Sequence, residues 1–239
     1  MSAAPRRGRR PSARPLAERV RSAKGRKPGS TRWLQRQLND PYVAEAKRAG
    51  YRSRAAWKLV EIDDRFKLLT PGATVLDLGA APGGWSQVAA ERVARGRRRG
   101  RVVAVDLSPI APLAGVAVHR IDALAAPEAL AALVPAGADV VLSDMAAPAT
   151  GHRATDHLRS LALCEAALAT ARAVLRPGGA LVCKLRQGSG ERDVIAALRR
   201  AFATVRQVKP EASRSESAET YLVALGFRAP DPRGAAQTE

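Results

Sequence analysis

Cysteine is nearly missing from this chain: Cys164 and Cys183 are the only two in 239 residues, in neither a C-x-x-C nor a metal-ligand spacing. A disulfide framework and a zinc site are therefore not expected, and the pair reads as core thiols. The three histidines, His119, His152 and His157, show no metal spacing either and read as surface or core residues. Aromatic residues are 4% of the chain, so any nucleic-acid binding would rest on phosphate electrostatics more than on a base-stacking platform. No apolar run approaches the length of a bilayer span, and the N-terminus lacks the apolar segment of a secretory signal, which predicts an intracellular protein. Acids are scarce too, 22 against 40 Lys and Arg, for a net charge of +18. That imbalance exceeds what solubility needs and points to a polyanion, nucleic acid ahead of a membrane surface. With so few aromatics, recognition of folded RNA shape is the favoured form.

What is present divides into three parts. Residues 1–29 carry Arg6-Arg7, Arg9-Arg10 and Arg26-Lys27 among Pro, Ser, Gly and Ala, and read as a disordered basic arm. The same composition fits an organellar transit peptide, which would send the protein to mitochondria, although its prolines disfavour the amphipathic helix such a signal uses. A solvated tail of no consequence is the third reading. Residues 30–228 read as one α/β domain, consistent with 46% apolar content, and 229–239 as a flexible tail. Short helices with basic outer faces are expected at 33–37, 42–46 and 55–62, the second ending near Gly50 and the third capped by Ser53. Beyond them, strands at 73–76, 101–106, 115–119, 139–143, 180–185, 204–208 and 220–225 are interspersed with helices at 85–93, 155–175 and 191–202. The alternation predicts a largely parallel sheet.

The strand at 73–76 opens into Asp77-Leu78-Gly79-Ala80-Ala81-Pro82-Gly83-Gly84-Trp85 and then a helix, the first unit of a doubly wound sheet. A dinucleotide fingerprint wants a glycine where Ala81 stands, so that the backbone can approach a pyrophosphate. An acid, a glycine turn and Gly83-Gly84 suit S-adenosylmethionine instead, which has an amino acid end and a ribose but no phosphate. Other α/β sites, or a plain strand-to-helix turn, remain open on the loop alone.

Further matches follow in order: Ser30-Thr31-Arg32-Trp33-Leu34, Arg52-Ser53-Arg54-Ala55, Asp77 to Gln87, Ser143-Asp144-Met145-Ala146, Lys184 with Gln187-Gly188, and Ser213-Arg214 with Glu219-Thr220-Tyr221. With these, the chain from about Ser30 to Phe227 resembles the FtsJ-type heat-shock methyltransferases, the family of ribosomal RNA large-subunit (uridine-2'-O-)-methyltransferase E. The resemblance implies a Rossmann-like class I methyltransferase fold with a seven-stranded, mostly parallel sheet and helices on both faces. It further implies a cytoplasmic enzyme that moves a methyl group from S-adenosylmethionine to the 2'-oxygen of a uridine in 23S rRNA of the 50S subunit. The family's Lys-Asp-Lys-Glu tetrad falls on Lys58, Asp144, Lys184 and Glu219. By resemblance Lys184 accepts the proton, Asp144 orients it and touches the cofactor, and Lys58 and Glu219 support the substrate ribose. Cofactor contacts are expected from Gly83, Trp85, Asp106, Asp122 and Asp144, the strand-ending acids facing the ribose hydroxyls (Asp106) and the adenine amino group (Asp122). No metal ligand is assigned, and a monomer is expected.

The chemistry asks for the same residue types. A sulfonium methyl is already electrophilic, so in-line alignment and removal of the 2'-hydroxyl proton are what the enzyme must supply. Bland alternatives stand beside each assignment: Lys184 snorkelling from a strand end, Asp144 or Asp122 closing a turn, Trp85 filling the core. Where relatives continue with Pro-Asn after the tetrad aspartate, this chain has Ala147-Pro148-Ala149-Thr150-Gly151-His152, a loop expected to border the RNA. Transfer RNA or another RNA as substrate, and a non-catalytic ribosomal RNA assembly factor, remain rival readings.

Overall fold

The computed structural model describes residues 19, 28–96, 99–124, 127–188 and 190–229. Apart from Arg19, Pro28, Gly29 and Ala229, the expected arm and tail lie outside the described residues, as do Arg97 and Arg98.

Seven strands form one sheet in the order β3-β2-β1-β4-β5-β7-β6. They are β1 (Thr74–Leu78), β2 (Arg101–Asp106), β3 (Val116–Arg120), β4 (Ala138–Ser143), β5 (Leu175–Arg186), β6 (Phe202–Val208) and β7 (Glu219–Phe227). β1 to β5 run parallel, whereas β7 lies antiparallel to both β5 and β6. The order reverses direction between β1 and β4, the switch point at whose carboxyl edge ligands sit in open α/β sheets.

The helices are α1 (Pro28–Leu38), α2 (Pro41–Ala49), α3 (Ala55–Phe66), α4 (Gly84–Val93), α5 (Pro127–Leu133), α6 (Arg153–Val174) and α7 (Glu191–Ala201). Strand residues alternate between two cores. Leu76, Leu78, Val103 and Leu181 pack with α5, α6 and α7, while Val75, Val102, Val140 and Val182 pack with α3 and α4. Cys164 on α6 and Cys183 on β5 are buried with their sulfurs 3.0 Å apart, in the core as expected.

Several local expectations are corrected. α5 has no counterpart in the sequence reading. α1 begins inside the stretch read as arm. Ser53 makes no capping bond: α3 starts after Arg54 without a side-chain cap, and the Ser53 hydroxyl instead packs against Gly84. Arg176-Pro177-Gly178-Gly179 follows the end of α6 at Val174, as expected of its stop, but lies inside β5, which starts at Leu175 rather than at 180, with a register shift between Ala138 and Val140 on the partner strand.

Candidate active site

The expected tetrad comes together beside the switch point, at the carboxyl ends of β4 and β5 and the start of β7. Lys184 leaves β5 directly opposite Tyr221 of β7, and Glu219, two residues earlier on β7, shares the Tyr221 face. Lys58 reaches them from α3 and Asp144 from the end of β4. Lys184 Nζ donates to Asp144 Oδ1 at 2.9 Å and to the Asp144 carbonyl at 2.5 Å. Tyr221 OH donates to the same Asp144 Oδ1 at 2.8 Å and accepts from Lys58 Nζ at 3.1 Å, and Lys58 also donates to Glu219 Oε2 at 3.1 Å. The result is one chain of partners: Glu219, Lys58, Tyr221, Asp144, Lys184.

Its charges balance, two ammoniums against two carboxylates. Burial pushes the Asp144 carboxyl up, but the Lys184 and Lys58 ammoniums and the hydrogen bonds from Lys184 and Tyr221 outweigh it and hold the group below its ordinary value. Glu219 follows the same pattern, burial overcome by Lys58 and Lys184. Tyr221 is raised well above a free phenol by burial and by Asp144 and Glu219, so it keeps its proton and can serve as donor to one neighbour and acceptor from the other. Tyr221 carries no assigned role in the sequence reading. The signal that could have found it is the two-residue spacing from Glu219 on a strand.

Beside this network lies a cleft of about 460 Å³, with Gly79, Ala81, Asp106, Asp122, Asp144 and Met145 in its wall. Gly79 adopts φ 69°, and a Cβ there would meet Met145 Cα at 2.8 Å, so only glycine keeps this passage between β1 and β4 open. Asp106 Oδ2 accepts from the Ala81 amide at 2.9 Å and Oδ1 from Ser108 at 2.7 Å, so the carboxylate also fixes the loop beside it. Asp122 Oδ1 accepts from the Leu124 amide at 2.9 Å, a turn contact, while the residue lines the cleft.

Two expected cofactor contacts are not in that wall. Gly83 caps α4 with φ 108°, and the Trp85 indole is 2% exposed. That indole donates to the Ala55 carbonyl at 2.8 Å and packs at a 40° tilt against the Tyr221 ring, centroids 5.5 Å apart, so its side chain fills the core and contacts the network through Tyr221.

The lining bears on the cofactor directly. It holds three carboxylates and, among the described residues that form it, no cationic side chain. A diphosphate would meet uncompensated negative charge there, whereas a ligand with a positive centre and ribose hydroxyls finds acceptors. The residues present fit S-adenosylmethionine.

Asp77, in β1 one strand away, is fully buried, accepting from Ser86 Oγ at 2.6 Å through one oxygen only. Burial, with Asp144 and Asp106 nearby, pushes it up to about 7, against the effect of the Ser86 bond.

A family model for FtsJ-like methyltransferases matches residues 51–227. The Xanthobacter autotrophicus ribosomal RNA large subunit methyltransferase E is 54% identical over 222 residues, covering 92% of this chain and 87% of its own length. The Azorhizobium caulinodans protein of that name is 52% identical over all of this chain and 99% of its own length. A solved Plasmodium falciparum chain, described as a ribosomal RNA methyltransferase, superposes with a TM-score of 0.68 at 28% identity, covering 75% of this chain and 100% of that one. A Methanococcus jannaschii fibrillarin pre-rRNA processing protein shares the fold alone, with TM-score 0.50 at 16% identity over 67% of this chain and 69% of its own.

Proposed function

The chain belongs to the FtsJ-like methyltransferase family, and from that premise we propose that it methylates the ribose 2'-oxygen of a uridine in 23S rRNA of the large ribosomal subunit, with S-adenosylmethionine as methyl donor. The observation that carries this reading is the continuous network from Glu219 to Lys184 beside a cleft whose charged side chains are all acidic. When bound, S-adenosylmethionine supplies an electrophilic methyl group.

Everything else falls to this chain's own residues. Asp106 and Asp122 would hold the ribose and adenine end, with Asp144 nearest the reacting atoms. Lys184, after its ammonium has given one proton to solvent, takes the 2'-hydroxyl proton while another N–H stays on Asp144; Asp144 and Tyr221 fix where that nitrogen sits. Lys58 and Glu219 close the network on the side away from Lys184 and support the acceptor ribose. Net charge of +18 suits a polyanionic acceptor and draws it in by counterion release, to which the arginines of residues 1–29 add.

One copy of the chain contains every member of the network, in keeping with a monomer. No described helix is long and apolar enough to cross a membrane, and the bacterial large-subunit methyltransferases among its relatives support a cytoplasmic enzyme.

The test is methyl transfer to large subunits from a strain lacking the enzyme. Lys184→Arg keeps the positive charge but cannot accept a proton, and transfer should fall by on the order of a thousandfold with ribosome binding intact. Near-normal transfer by that variant would remove Lys184 as the base. Wild-type protein that binds subunits tightly without methylating them would be an assembly factor, and a mark mapped to transfer RNA would reassign the acceptor.

A further inference from the structure

Between α2 and α3 the chain folds onto the first turn of α4. The Gly50 carbonyl accepts from Gln87 Nε2 at 3.0 Å, and Gln87 Oε1 accepts from the Arg52 amide at 2.8 Å, so one side chain of α4 fixes this segment at two points. Fixed there, Arg52 directs its guanidinium at three main-chain carbonyls. Nη1 donates to Ala111 at 2.7 Å and to Pro82 at 3.1 Å, and Nη2 donates to Pro112 at 2.7 Å.

Those carbonyls belong to two different loops. Pro82 lies in the turn between β1 and α4, next to Ala81; Ala111 and Pro112 lie in the link that leaves β2 through Asp106, Leu107 and Ser108. Ala81, Asp106, Leu107 and Ser108 all line the cleft. One planar cation therefore spans both loops outside the cleft, as the Asp106 carboxylate spans them within it through the Ala81 amide. There is no slack beside it: a Cβ on Gly83 would meet Leu113 Cδ1 at 2.7 Å and Arg52 Nη1 at 3.2 Å.

In so basic a chain an arginine at a cleft rim reads first as a phosphate contact. Here both terminal nitrogens of the guanidinium are engaged by carbonyls, in a fork geometry that lysine cannot reproduce. We propose that Arg52 is a positioning residue for the methyl-donor end of the site, a strut that sets the separation of the 79–84 and 107–113 loops. The proposal rests on the reading of the cleft as that donor site.

The test compares full-length wild type with Arg52→Lys. Lysine keeps the positive charge, so a phosphate contact would survive in large part, while the span across two loops would be lost. Amide hydrogen exchange of the protein alone should quicken in 79–84 and 107–113, with β5 and β7 unchanged as the control for folding. With 50S subunits as acceptor, KM for S-adenosylmethionine should rise roughly tenfold, while kcat at saturating donor and KM for the subunit stay within about twofold. Wild-type exchange in both loops, or a donor KM restored by lysine, would overturn the proposal. A raised subunit KM with an unchanged donor KM would make Arg52 a phosphate contact instead. If wild-type protein bound no S-adenosylmethionine, the donor reading would fail, and the exchange comparison would still decide whether Arg52 holds the two loops.

Discussion

Asp77 and Asp144 lie at the carboxyl ends of neighbouring parallel strands, β1 and β4, Asp77 fully buried and Asp144 largely so, yet they are driven in opposite directions. Asp144 has two ammoniums and a phenol around it and is held below the ordinary carboxylate value. Asp77 has one serine hydroxyl, sees Asp144 and Asp106 as like charges, and is pushed up to about 7. Burial alone favours the neutral form of both. Partners decide the outcome, and they arrive from α3, β5 and β7 to serve β4 while leaving β1 without a cation. Of these two acids, the one met by lysines from other elements is thus the one held as a fixed negative charge.

The largest expected effect comes from deleting the uncompensated group. The folded-state value of Asp77 lies above its unfolded value, so the native state holds the proton more tightly. Its contribution is therefore fully present below the unfolded value and is lost as pH rises through about 7. Asp77→Asn should remove that loss. Its stability relative to wild type should grow by roughly 3 kcal/mol between about pH 4 and about pH 8, as read by urea unfolding at each pH. A difference that does not change with pH would mean that Asp77 has an ionic partner in solution.

Next in size is the compensated side. Lys58→Met leaves Glu219 without its cation and Tyr221 without its donor, and should cost about 2–3 kcal/mol near neutral pH. That is below the full cost of an unpaired buried charge, because the Glu219 side chain is 28% exposed. Because the folded-state value of Glu219 is depressed, the Lys58 contribution is present above the ordinary carboxylate range and fades as pH falls through it. Comparable losses in acid and at neutrality would contradict the pairing.

The smallest change is Tyr221→Phe. Asp144 keeps Lys184 and Lys58 keeps Glu219, so about 1–2 kcal/mol of stability should go with the two hydrogen bonds. Methyl transfer should fall further than that loss explains, since the hydroxyl fixes the carboxylate that orients Lys184. A variant with reduced stability but wild-type kcat would restrict Tyr221 to a structural role.

The switch point is legible because it depends on local spacing: an apolar run, an acid at its end, a glycine turn. The Gly50 cap is legible for the same reason. The tetrad positions follow from the family resemblance, and the structure brings their four side chains together. What escaped depended on contacts between distant segments. Tyr221 gains its meaning only from the antiparallel register that sets it opposite Lys184, and nothing in its neighbourhood announces β7 as a strand inserted between β5 and β6. The motif makes Trp85 a candidate cofactor contact or a core aromatic, and the structure shows its indole turned inward, donating to the Ala55 carbonyl of α3. Ser53 looked like a cap, and close packing against Gly84 claimed it first. α6 takes a histidine as its N-cap, His152 accepting from Thr155, so the residue types that usually mark a helix start were no guide there. α5 spans only seven residues, too short for a period to stand out.

The place of β7 also has a consequence for synthesis. It is the last of the described strands in chain order, yet it inserts between β5 and β6, which precede it, and it carries two of the five members of the network. A nascent chain that has built everything through β6 has Lys58, Asp144 and Lys184 but nothing to join the first to the other two. A chain stalled or cut before Glu219 lacks the Tyr221 link between Lys58 and Asp144, and on the proposed mechanism it should transfer no methyl group however much of the sheet it has formed.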